Sequence, residues 1–136
     1  MRRRPDYLIG PKGDPYLERW WVIPRNRWLN VYLHHFRHSD DDRALHDHPY
    51  ASASFILKGS YVEHTFDGEF TRFAGSVTFR SATVAHRIEL RAGNCWTLFV
   101  TGPRIREWGF WCPKGWRHWR DFCALDDAGD AGPGCD

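Results

Sequence analysis

The sequence predicts an all-β barrel or jelly roll, and three observations carry that expectation. Short runs rich in β-branched and aromatic residues recur at nearly even spacing, turn chemistry separates them, and no long stretch shows a helical period. With 136 residues the chain can bury one hydrophobic core and is too short for two ordinary domains. Eight tryptophans and a 42% apolar share supply that core even though the mean hydropathy is negative.

The segment Tyr7 to Arg19 is punctuated by Gly10-Pro11, Gly13 and Pro15 and reads as an extended arm with turns. Trp20 to Ile23 is a strand stopped by Pro24, and Trp28 to Phe36 is the next. Ser39 to Arg43 is a solvated acidic loop. Ala51 to Leu57 is a strand closed by Lys58-Gly59. Tyr61 to Phe66 then runs into Asp67-Gly68, the strongest hairpin signal in the chain. Phe70 to Phe73, Ser76 to Arg80, His86 to Leu90 and Trp96 to Val100 complete the strands, broken at Gly75, at Ser81 to Thr83 and at Ala92-Gly93-Asn94. A short helix is expected near Arg117 to Leu125, and Ala128 to Asp136 has nothing to bury and reads as a frayed tail. The predicted organisation is an N-terminal arm and edge strand over 1–27, a barrel with an aromatic C-terminal segment over 28–125, and a flexible tail over 126–136.

The formal charge of +2, with acidic and basic residues interleaved, argues against a nucleic-acid or membrane surface. Met1-Arg2-Arg3-Arg4 is followed by Pro5-Asp6 rather than an apolar run, so no secretion signal is expected and a cytoplasmic setting is the default. Cys95, Cys112, Cys123 and Cys135 fall at no metal-finger spacing. Free thiols in a reducing compartment are expected, with Cys95 and Cys112 as buried structural residues.

His46 and His48 stand two apart in His46-Asp47-His48, so on a strand both rings leave one face while Asp47 leaves the other. His86 opens a later strand that a barrel could bring alongside. The three imidazoles are the candidate ligands of one divalent cation. If the strand runs unbroken past Pro49, Ser52, Ser54 and Ile56 share the face of the histidine pair, and Arg87 points outward if His86 is a ligand.

These residues resemble the cupin superfamily. Its first motif runs here from His46-Asp47-His48-Pro49 to Gly59, its second from Gly75 to His86, with the Asp67-Gly68 hairpin between them. Ser52 stands where the family carries a glutamate, Ser81 and Thr83 replace the proline and glycine of the second motif's bend, and Leu90 replaces its trailing asparagine. The resemblance implies a double-stranded β-helix with a metal at its mouth, similar to the three-histidine iron centres of thiol and diketone dioxygenases. Three neutral imidazoles leave a divalent charge uncompensated, which favours a small anionic or chelating substrate. Fe(II) is the first expectation, and Zn, Ni, Cu and Mn suit the same ligands. Ser52, Ser54, Arg80 and Arg104 are the candidate substrate contacts. The alternative is a sugar-binding or otherwise non-catalytic cupin, or a metal-independent epimerase using His48 or His86 as base with Tyr32 or Tyr61 as acid.

Other histidines offer weaker readings. His38-Ser39-Asp40 spells half of an iron facial triad that His86 or His118 would complete; one of His34 and His35 could line the barrel, and His64 reads as structural. The segment from Arg104 to Trp119 holds four tryptophans, which either close the barrel mouth or staple this segment to its outside, with Arg104 or Arg106 pairing Glu107. The aromatic arm Tyr16 to Trp21 is a candidate for strand exchange in a homodimer.

Overall fold

A computed structural model describes residues 3–10, 13–39, 44–91, 93–123 and 132–135. Among the described residues there are twelve strands and one helical turn: β1 (Tyr7–Ile9), β2 (Leu17–Trp21), β3 (Asn30–Phe36), β4 (Leu45–His46), β5 (Ser52–Lys58), β6 (Ser60–Thr65), β7 (Gly68–Phe73), β8 (Val77–Arg80), β9 (His86–Glu89), β10 (Cys95–Thr101), β11 (Gly109–Cys112), β12 (Gly115–His118) and α1 (Trp119–Phe122). They form two six-stranded antiparallel sheets, in the orders β1-β2-β3-β10-β5-β8 and β12-β11-β4-β9-β6-β7. This is the all-β jelly roll that the alternation and turn signals predict.

The strand alternation fixes the inside. In β3 and β10 every second residue is buried, and Leu17, Phe36, Ile56, Tyr61, Ile88 and Cys95 pack as one apolar cluster contributed by both sheets. Gly59 turns β5 into β6 at φ 87°, and a Cβ there would sit 2.4 Å from the Asn94 carbonyl oxygen, so both conformation and space require glycine. The hairpin falls one residue earlier than its sequence signal suggests: Phe66 and Asp67 form the turn and Gly68 opens β7 opposite Thr65.

Several expectations are corrected. The strand through the histidine pair does not continue into Ser52. β4 ends at His46 in one sheet, β5 begins at Ser52 in the other, and the connection carries Pro49, whose carbonyl accepts from Ile105 N (2.8 Å) and Arg106 N (3.3 Å). The aromatic arm, expected from its punctuation as an extended arm with turns, supplies the strand β2, which pairs with β3 from Leu17↔Phe36 to Trp21↔Tyr32. The Trp-rich segment, expected only as a staple or lid, supplies the β11–β12 hairpin.

The cysteines are not all free. Cys112 and Cys135 form a disulfide, while Cys95 and Cys123 are buried thiols, and burial pushes Cys95 up to about 11. Sequence spacing could not show this, because the 23-residue separation closes only when the chain end folds back on β11. Of the expected tail, 126–131 and 136 lie outside the described residues. The described part is tied down: Gly134 N donates to the Phe122 carbonyl, and Cys135 packs on the cluster of Ala44, Phe110, Phe122 and Cys123.

Candidate metal centre

His46 and His86 are direct register partners in β4 and β9, and His48 lies two residues past His46, where the chain leaves the sheet. The bend after β8 holds that departure, because the Ala82 carbonyl accepts from His48 N at 3.2 Å. The second motif therefore both delivers His86 and clamps the first. The three ring centroids form a nearly equilateral triangle with sides of 4.9, 5.0 and 5.1 Å. Each ring offers one nitrogen, and the three nitrogens lie within 4.8 Å of one another.

Burial holds all three imidazoles below their ordinary pKa of about 6.5, and neighbouring ring and Arg80 charges push His46 and His48 the same way. Neutral imidazole is the ligating form. His48 Nδ1 is buried with no hydrogen-bond partner in the protein, so this ring keeps ligand capacity that no side chain uses. The donor set fits a divalent cation of the borderline class.

The residue behind His86 is one that the motif reading missed. Glu63 in β6 is 1% exposed, and its Oε2 lies 2.5 Å from both His86 Nδ1 and Arg80 Nε, while Oε1 accepts from Arg72 Nε at 3.2 Å. Burial alone would raise the Glu63 carboxyl, but the hydrogen bonds from His86 and Arg80 and their charges outweigh it and hold it well below the usual carboxylate range. A carboxylate on Nδ1 fixes the tautomer that leaves Nε2 as the lone-pair nitrogen. The available signal was parity: Glu63 is two residues from buried Tyr61 and so shares its face.

The expected substrate contacts separate. Ser54 and Arg104 line the cavity in front of the histidines, whereas Arg80 and Ser52 do not. Arg80 is buried with Nε on Glu63, one terminal nitrogen on Ser54 Oγ (2.8 Å) and the other on the Tyr61 hydroxyl (3.3 Å), so it supports the centre from behind. Ser52 Oγ is buried without a partner. Arg104 reaches Glu107 at 3.4 Å at the exposed rim.

Asp47 leaves the opposite face, as its parity requires, and it organises the Trp-rich segment. Fully buried, it accepts from Gly109 N (2.9 Å), Trp111 Nε1 (3.2 Å) and Trp116 Nε1 (3.0 Å) and pairs with Arg106 at 3.0 Å. A Cβ on Gly109 would lie 2.1 Å from the Arg117 carbonyl oxygen, so only glycine allows this approach. The four tryptophans divide: Trp111 and Trp116 staple the outside, whereas Trp108 and Trp119 line the cavity.

The remaining histidines are also placed. His34 lines the cavity; His35 stacks on Trp96 at 4.1 Å and bonds Glu18. His64 sits between Glu89 and Glu69, a structural role, and Arg87 opposite it lies outside the cavity lining, as parity expects. His38 bonds Asp14 at the surface and His118 caps α1 and bonds Glu107, so neither joins the cluster; Asp40 lies outside the described residues.

No family model and no curated protein matches this chain. Solved structures do. The DMSP lyase DddQ from Ruegeria pomeroyi aligns with a TM-score of 0.61 at 15% identity over 79% of this chain, which spans 57% of that one. A sugar phosphate isomerase from a cupin superfamily, from Silicibacter pomeroyi, aligns at 0.57 and 13% identity over 75% of this chain and 74% of its own. An RmlC-like cupin from Shewanella frigidimarina aligns at 0.56 and 18% over 70% and 82%. Two antiparallel sheets with histidines on neighbouring strands and these structural likenesses converge on the fold: the chain has the double-sheet jelly roll of these cupin structures.

Proposed function

We propose that this chain is a mononuclear metalloenzyme of the Fe(II) dioxygenase type acting on a small anionic or chelating substrate. The observation that carries the reading is the convergence of His46, His48 and His86 as neutral ligands with no carboxylate among them. A divalent cation held by three neutral donors keeps its full charge, so an incoming anionic chelate is favoured over a neutral one. Iron held there would supply the redox chemistry that joins dioxygen to a substrate. The protein's part is to hold His86 through Glu63 and to shield the reacting atoms with Trp108, Trp119 and Phe110. Protein purified without oxygen should carry about one equivalent of iron and consume O₂ with thiols, diketones or catechols; absence of stoichiometric metal removes the proposal.

One observation favours a second reading. His86 and Glu63 form a buried imidazole–carboxylate pair, and Tyr32 and Tyr61 line the same cavity, which would suit proton transfer without a metal, as in an epimerase or isomerase. Isomerase and lyase names among the similar structures accord with that class. Activity that survives exhaustive chelation would favour it.

A further inference from the structure

The cavity in front of the histidines has a second pole. Its volume is about 500 Å³, and Arg19, Arg25 and Arg104 line it while, among the described residues, no aspartate or glutamate does. An acid-free cavity holding three arginines is built for an anion. Arg25 and Arg104 are exposed at the rim, but Arg19 is partly buried and held from several sides. Its Nε donates to His34 Nε2 at 2.9 Å, and its guanidinium lies 4.3 Å from the centre of the Tyr32 ring. Burial raises the Tyr50 hydroxyl, and the Arg19 charge works against that rise. The sequence places it there through register, since Arg19 of β2 pairs directly with His34 of β3.

His34 can accept from Arg19 only as a neutral ring. Burial first, and the Arg19 charge second, hold its pKa well below the ordinary value. One N–H is thus spent on fixing the guanidinium, while an arginine carries five. Between Arg19 and the histidines run aromatic walls: His34 stacks on Phe99 at 5.0 Å, and Phe99 meets Tyr50 and His48, both at 6.2 Å. Flat apolar walls joining a fixed cation to a metal-competent cluster describe a particular kind of guest.

We propose that Arg19 is the anchor for the oxyanion head, carboxylate or phosphate, of a small planar or apolar substrate whose other end faces His46, His48 and His86. The assignment of that other end rests on the metal reading above; the Arg19 anchor does not. A neutral sugar would leave the partly buried guanidinium without a counter-charge, so an anion is the preferred guest.

Chelator-treated protein titrated with benzoate, phenyl phosphate and neutral benzamide, followed by calorimetry, tests the anchor without any metal. Unmodified protein should bind benzoate or phenyl phosphate at least about tenfold more tightly than benzamide, and the tighter of the two identifies the head group. Arg19→Gln should abolish that preference and Arg19→Lys should weaken it, Arg104→Gln and Arg25→Gln at the exposed rim should lower it by less than Arg19→Gln does, and Arg87→Gln outside the cavity should leave it unchanged. Arg19→Lys retains the charge and the aliphatic stem, so it keeps the test informative if Arg19→Gln fails to fold. Equal affinity for charged and neutral probes, or a preference untouched in Arg19→Lys and lost in Arg104→Gln, overturns the proposal. Failure of the metal reading would appear separately, as protein that holds no iron yet still prefers the anion.

Discussion

Glu63 and His86 meet across the pairing of β6 with β9, with a carboxylate oxygen 2.5 Å from the imidazole Nδ1. That oxygen also takes the Nε of Arg80, so one buried atom couples the ring to a fixed charge. Glu63→Gln should therefore act on two levels. Leaving Arg80 buried without its counter-charge costs about 3 kcal/mol of folding stability, and loosening the ring's tautomer weakens metal affinity about 10–100-fold. Urea unfolding of the metal-free protein reads the first and metal titration the second. Unchanged metal affinity in a folded variant would show that the pair does not serve the centre.

Asp47 predicts an effect in the opposite direction through the wall. Asp47→Ala removes the acceptor of Gly109 N and of two indole N–H groups, and should destabilise by about 3 kcal/mol. The hairpin of β11 and β12 should then become open to limited proteolysis between residues 104 and 119. Protection equal to that of the unmodified protein would mean that the aromatic packing, not the carboxylate, holds the hairpin.

Denatured but unreduced protein should alkylate at Cys95 and Cys123 and not at Cys112 or Cys135. Closing a loop between residues 23 apart stabilises by about 3 kcal/mol on the chain-entropy account, so reduction should lower the melting temperature by about 10 °C. Four alkylated cysteines before reduction would refute the pairing.

Acid should destabilise the metal-free protein in two stages. The folded state holds His34, His46, His48 and His86 below their ordinary pKa, so beneath about 6.5 the unfolded chain binds more protons and stability falls as pH falls. Glu63 is also lowered, and its contribution, present above about 4.3, is lost on further acidification. Urea midpoints measured in chelator from pH 7.5 down to 4 should decline throughout. A midpoint that is flat between pH 7.5 and 5.5 would contradict the neutral state of the histidine cluster.

The strands and the His46–His48 pair were legible because both depend on short-range periodicity, and His86 was legible through the cupin-like second motif that ends on it. Alternation in β3 and β10, the turn residues around Asp67-Gly68 and the two-residue step from His46 to His48 each encode direction within a few positions. Whether Ser52 shares the face of that pair turned on the strand running past Pro49, and it does not, because the carbonyl of Pro49 is taken by Ile105, a partner 56 positions away. Glu63, Arg19 and the cysteine pair were hidden for the same reason. Each gains its meaning from a partner on another strand or from the returning chain end, and nothing adjacent in sequence announces it. Arg80 shows the converse: its position beside the second motif was informative, but Glu63, Ser54 and Tyr61 turn its guanidinium inward, outside the cavity lining.

The word His46-Asp47-His48 joins the interior of the cup to a pair of indoles on its outer skin through a single carboxylate. The middle letter of that word seats the outer skin while its two flanking letters face the hollow, so one three-residue stretch serves both sides of the wall at once.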